Sequence, residues 1–351
     1  MPGRAQQSLN MHLKNRNKRH IKLLVNYLLG PLLFAWLAYS IYQQLMSQPN
    51  LAASWKHTRQ TFGTSQIWLL ALALFLMLLN WGIEAVKWQL AVRRVQAISY
   101  FTACKAVLSG VSFSVTTPNR VGEYLGRILY MKEGSRLKAI SLTIAGSISQ
   151  LIITLMMGCV GLLFLRSEIE AAQLLSGFWY ELILYGTITI SAVLTLFYFK
   201  LSWLVKWLDR LPGSRRYAWL IESLEQFDAT ILLQLLSLSA IRFIVFMAQY
   251  YLLFRLFEVS ISWWQCYWCI SISFLVMAAI PTIALFTDLG LRGTVTLKLA
   301  GLFSSNQLGI GLAAASIWFI NLIIPALAGS LLILGIGRIF RKKETITEKN
   351  T

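Results

Sequence analysis

Residues 116–127 read TTPNRVGEYLGR and place Arg120, Glu123 and Arg127 within eight positions, between two apolar stretches. A second group, FTDLGLRG, sets Asp288 four residues before Arg292. Paired guanidinium groups bind phosphate or carboxylate oxygens in a fork geometry, and a helix N-terminus beside them favours the same anions. Carboxylates among them orient an arginine, bind a cationic group or carry a proton. Thr117 reads as an N-cap and Pro118 as the first helical residue. A helix from Pro118 puts Arg120, Glu123 and Arg127 at i, i+3 and i+7, on one face. Gly122 and Gly126 form a small stripe beside them that lets another backbone approach. In the second group Gly290 and Gly293 accompany Asp288 and Arg292. The plain alternative is an interfacial ion-pair ladder and a solvated i, i+4 pair, worth a few tenths of a kcal/mol. Against it stands the cost of a charge at the centre of a bilayer, about 2.5–3.5 kcal/mol on insertion scales.

The elements that position these residues follow from composition. The chain has 351 residues, of which 57% are hydrophobic and 13% charged, too apolar for a soluble domain. Its runs approach the roughly 20 apolar residues that cross a bilayer. The reading is an all-α polytopic membrane protein. A net charge of +18 would also suit nucleic acid, but Lys and Arg cluster at the ends of apolar segments. That placement fits cytoplasmic loops against anionic lipid and excludes nucleic acid as a partner. No metal site or cofactor is expected: His12, His20 and His57 form no cluster, and Cys104, Cys159, Cys266 and Cys269 all lie in apolar stretches. The C-x-x-C at 266–269 reads as packing thiols rather than a redox or metal motif.

A basic tail over 1–20 precedes a retained first span at 21–42, so the N-terminus is expected in the cytoplasm. Further spans are expected at 66–88, 139–165, 178–199, 232–257 and 309–337, and the basic tail over 341–351 keeps the C-terminus on the same side. Residues 21–340 form one transmembrane domain. The segment 100–117 has positive flanks on both sides, and 263–302 must begin and end outside if the spans alternate. Both therefore read as re-entrant, giving about six full spans plus two inverted hairpins. Short segments interrupted by Gly or Pro at matching places in two halves mark the midplane site of many transporters. Residues 201–231 read as interfacial amphipathic helices, a surface for a homo-oligomer or membrane partner. Glu84 and Lys87 read as a pair near the cytoplasmic end. Gln150, Gln249 and Asn321 read as interhelical hydrogen-bonding residues. Arg242, well inside an apolar span, is expected to pair with a hairpin carboxylate or to contact substrate.

The run P-x-R-x-G-E-x-x-x-R, here Pro118, Arg120, Gly122, Glu123 and Arg127, resembles the signature of the lysylphosphatidylglycerol synthase membrane-domain family, also called the flippase-like domain. Pro281 and Leu289-Gly290-Leu291-Arg292 resemble its second motif, which usually carries a Glu where Gly293 stands here; Asp288 could supply that carboxylate. The resemblance covers about 20–340. It implies a protein of the bacterial inner membrane that moves a lipid between leaflets, with no enzyme activity expected because the chain has no room for the family's soluble aminoacyltransferase domain. The expected partners are membrane phospholipids or a lipid-linked substrate, an anionic or aminoacylated phospholipid or a polyprenyl-phosphate lipid. Arg120, Arg127 and Arg292 would contact phosphate, while Glu123 and Asp288 tune charge. Two rivals are an intramembrane transferase using Glu168 and Glu170 in the external loop, and a non-transporting envelope scaffold docking through 201–231.

Overall fold

In the computed structural model the described residues are 39, 67–115, 117, 121–200, 229–280 and 285–333. Among them every regular element is helical. In chain order these are α1 (Ile67–Val92), α2 (Tyr100–Val115), α3 (Gly122–Ile128), α4 (Arg136–Phe164), α5 (Arg166–Ala171), α6 (Gly177–Phe199), α7 (Ala229–Leu256), α8 (Trp263–Ala279), α9 (Leu285–Ala300) and α10 (Gln307–Trp318). A π-helical turn, Phe319–Ile323, carries α10 onward, so that helix runs from Gln307 to Ile333.

Five helices are long and apolar enough to cross a membrane: Ile67–Val92, Glu133–Phe164, Gly177–Phe199, Ala229–Leu256 and Gln307–Ile333. They match five of the six expected spans; the first, 21–42, lies outside the described residues, as does most of 201–231. In a bilayer an unpaired backbone N–H or C=O has no water to bind, which is why such sequences close every bond within a helix. The two shorter apolar helices, α2 and α8, fall where the interrupted segments are expected. Each packs against the helix that follows it.

Contacts fix the direction of both pairs. Gly122 faces Phe113 while Gly126 faces Gly110, so α3 runs back along α2. A Cβ at Gly126 would stand 2.5 Å from the Gly110 Cα, and one at Gly122 would stand 2.2 Å from the Phe113 carbonyl oxygen. The glycine stripe therefore serves backbone-to-backbone packing, as expected. In the second pair Cys269 Sγ donates to the Leu299 carbonyl and Ser273 meets Thr296, which makes α8 and α9 antiparallel as well.

The two hairpins open toward opposite ends of the bundle. At one end lie the base of α2–α3, the C-terminus of α1 and the N-termini of α4 and α7, joined by Lys132 N–H to Gln96 Oε1, Trp88 to Thr143 and Tyr198 to the Leu232 carbonyl. Arg93, Arg94, Lys132, Arg136, Lys138 and Lys200 mark this end. At the other end Phe164 of α4 stacks on Trp268 of α8 at 4.6 Å, and Asn306, ahead of α10, donates to the Phe257 carbonyl. There α8 starts from a capping box between Ser262 and Gln265. Arg166 bonds both Glu170 and Glu181 at this end, where Glu168 and Glu258 also lie.

Candidate functional site

Between the two hairpins is a cavity of about 460 Å³. It is walled by α1, α4, α7 and α10, with Glu123 from the first hairpin and Asp288 and Arg292 from the second on its lining. Residues 165 positions apart thus share one space.

The first charged group is built around Glu84, buried in the middle of the apolar helix α1. Arg127 Nη2 donates to Glu84 Oε1 at 2.7 Å and also to Glu123 Oε1. Arg242 donates from Nη1 to Glu84 Oε2 and from Nε to Asn80 Oδ1 at 2.8 Å. Lys87 Nζ lies 3.3 Å from Glu84 Oε2 and donates to Ser239 Oγ at 3.1 Å. One carboxylate is therefore shared by three cations from three helices. A buried ion pair survives only where hydrogen bonds satisfy the remaining valences, and here α1, α3 and α7 supply them jointly.

The second group is simpler. Arg292 Nη2 reaches Asp288 Oδ2 at 3.4 Å, and Nη1 donates to Tyr250 Oη of α7 at 3.2 Å. Its guanidinium carbon lies 5.9 Å from the Phe274 ring centroid, within range of a cation–π contact. Together the two groups hold four cations against three carboxylates.

The match to the model of the lysylphosphatidylglycerol synthase TM region covers residues 24–332. The chain belongs to that family. No curated protein matches it at a significant level. As a member of the family it is a multi-pass membrane protein associated with lipid handling.

The structure brings Glu123, Arg127, Arg242, Asp288 and Arg292 to the cavity or its wall, and corrects three expectations. The helix of the first motif begins at Gly122, not at Pro118; Thr117 caps it from outside, accepting from Gly122 N–H at 2.7 Å while donating to the Phe113 carbonyl. A single threonine hydroxyl thereby ties the end of α2 to the start of α3, in place of an N-cap next to Pro118. Pro118 and Arg120 lie outside the described residues. Arg242 takes its charge partner from Glu84 of α1, not from a hairpin carboxylate. Glu84 and Lys87 do pair, but as the centre of a buried network and not as a peripheral pair. Gly122, Gly126 and Gly290 are buried, the first two against α2.

Sequence reasoning passed over Asn80 and read Glu84 only as half of a peripheral pair, and a signal existed for both. Asn80, Glu84 and Lys87 stand at i, i+4 and i+7, one face of a helix inside an apolar run. Gln150, expected only to bridge helices, bonds the Ser239 carbonyl and lies 3.4 Å from Arg242 Nη1, so it also lines the site. Cys266 and Cys269 are fully buried free thiols, in keeping with a packing role.

Proposed function

We propose that this protein moves a lipid between the leaflets of a bacterial inner membrane without altering it chemically. The cargo is an anionic or aminoacylated phospholipid, or a polyprenyl-phosphate lipid, whose headgroup enters the cavity. One observation carries the reading: two short hairpins from opposite ends of the bundle deliver their charged residues to the same space. A headgroup crossing the hydrocarbon unaided loses its hydration with nothing in return. A half-buried cavity between the hairpins, with charge already paired inside it, offers that return midway.

In this reading α2–α3 and α8–α9 are re-entrant, entering from the cytoplasmic and external faces. The basic end of the bundle is cytoplasmic and both termini lie there. The transferase rival finds less support, because Arg166 engages both Glu170 and Glu181 and Ser167 donates to Glu168, so the carboxylates of that loop are already partnered.

Reconstitution in liposomes carrying trace fluorescent phosphatidylglycerol in both leaflets provides the test. The intact protein is expected to expose inner-leaflet label to a membrane-impermeant quencher at least tenfold faster than empty vesicles, and the double substitution Asp288→Ala, Arg292→Ala to remove most of that gain. Equal rates with and without protein, across phosphatidylglycerol, its aminoacyl ester and a polyprenyl phosphate, would sink the proposal.

A further inference from the structure

The cavity lining contains more than ion pairs. Four of its side chains carry a buried polar atom with no hydrogen-bond partner: Trp81 Nε1, Trp318 Nε1, Arg292 Nε and Asn321 Oδ1. Three of these are N–H donors and one is an acceptor. They come from α1, α9 and α10, so no single helix explains them. Buried polar groups in native proteins are nearly always paired, and an unmet one costs its full desolvation. Several on one cavity wall are the complement of a missing ligand.

The arginines of the first group have less to offer. Both carboxylates near Arg127 are engaged by its Nη2, and Arg242 is spent on Glu84 and Asn80. A headgroup oxygen would have to displace a buried carboxylate to reach either. Arg292 differs: Nε is unpartnered in both Arg127 and Arg292, but only Arg292 lies on the cavity lining, its Asp288 contact is long, and an indole-bearing wall completes the space.

Resting on the flippase reading, we propose that Trp81, Trp318 and Arg292 form the phosphate-recognition set of this cavity. On binding, these side chains turn from their closed positions so that the three N–H groups take oxygens of a phosphate ester, and Asn321 Oδ1 accepts from a hydroxyl or ammonium on the same headgroup. Arg127 is a structural residue of the wall and not a phosphate ligand. The substrate class is then a phosphate-ester lipid whose headgroup carries at least one hydrogen-bond donor. The two indoles explain how a site can be selective for an anion without an uncompensated arginine: neutral donors add acceptor affinity without adding buried charge.

The test is native mass spectrometry of the purified chain titrated with phosphatidylglycerol, with diacylglycerol as a headgroup-free control and inorganic phosphate as a soluble competitor. Trp81→Phe and Trp318→Phe remove the N–H and keep an aromatic ring; together they are expected to lower phosphatidylglycerol retention at least tenfold and leave diacylglycerol unchanged. Asn321→Asp, nearly isosteric, sets a carboxylate opposite the phosphate and should give a similar loss in a chain that still melts cooperatively. Wild-type retention in all three variants would overturn the assignment while leaving the flippase reading intact. Failure of the wild type to prefer phosphatidylglycerol over diacylglycerol would overturn both. Full competition by inorganic phosphate at equal concentration would assign the donors to a free anion and overturn the lipid headgroup as their ligand.

Discussion

In the first hairpin Arg127 is enclosed: Glu84 and Glu123 share one of its nitrogens, and its exposure is 2%. In the second, Arg292 has one distant carboxylate, a tyrosine hydroxyl and an aromatic face, and it lies on the cavity lining where Arg127 does not. The helix following each apolar segment carries an arginine and an acid at i, i+4, yet Arg127 is closed off behind Glu84 and Glu123 while Arg292 lies on the cavity lining with its acid. The difference lies in what the neighbouring long helix presents. Opposite Arg127, α1 presents a carboxylate; opposite Arg292, α7 presents only the phenol of Tyr250. Where the family's second motif usually has a Glu, Gly293 adds no acid. One hairpin is thus latched to the bundle by a shared buried carboxylate, and the other is held by a single longer ion pair and a phenol.

The sharpest way to break this contrast is at the latch. Glu84→Gln leaves Lys87, Arg127 and Arg242 buried with Glu123 as the one carboxylate in reach, and breaking a buried pair in this way costs about 3–5 kcal/mol. A drop of many degrees in the melting temperature of the detergent-solubilised protein is expected, and a melting curve like that of the wild type would show that the network contributes no stability. Gly126→Ala probes the same hairpin through packing: its methyl would collide with the α2 backbone, and overpacking costs about 1–3 kcal/mol. Thermal melting again checks it, with Gly186→Ala as control, since a Cβ there meets nothing within 4 Å. The smallest effect should come from Asp288→Asn, which frees Arg292 from a 3.4 Å contact. Stability should hardly move, while retention of phosphatidylglycerol in native mass spectrometry should rise a few-fold; a loss of retention would mean that Asp288 holds Arg292 in its binding pose.

Much of the architecture was legible because hydropathy and charge act locally along the chain. All five long helices overlap their expected spans, with those from Gly177 and Gln307 starting within two residues of the expected positions. The first short segment was marked by its flanking charges and the second by the alternation of the spans. The glycine stripe could be read because Gly122 and Gly126 are one turn apart, whatever they pack against. The wiring of the site could not. Arg242 and Glu84 are 158 residues apart, and an apolar helix gives no hint of which neighbour faces a charge within it. The start of α3 was misplaced because Thr-Pro is a strong local signal for a helix start, whereas the observed cap is a threonine reaching five residues ahead. The unpartnered indoles belong to tryptophans that, in sequence, look like any others in a chain with 13 of them.

The π turn at Phe319–Ile323 has a consequence for how α10 is phased. Such a turn fits one surplus residue into a helix, and it is common at functional sites. Here it sits beside Trp318 and contains Asn321, both on the cavity, while its other side sends Phe319 outward. Further along the same helix Gly329 lies so close to α2 that a Cβ would fall 2.0 Å from the Leu108 carbonyl oxygen. With about 100° of rotation per residue in a regular helix, a chain one residue shorter could not aim Asn321 at the ligand space and Gly329 at the first hairpin together. The surplus residue acts as a phase shifter, letting one rod answer to two partners that an unbroken α-helical period would set at odds.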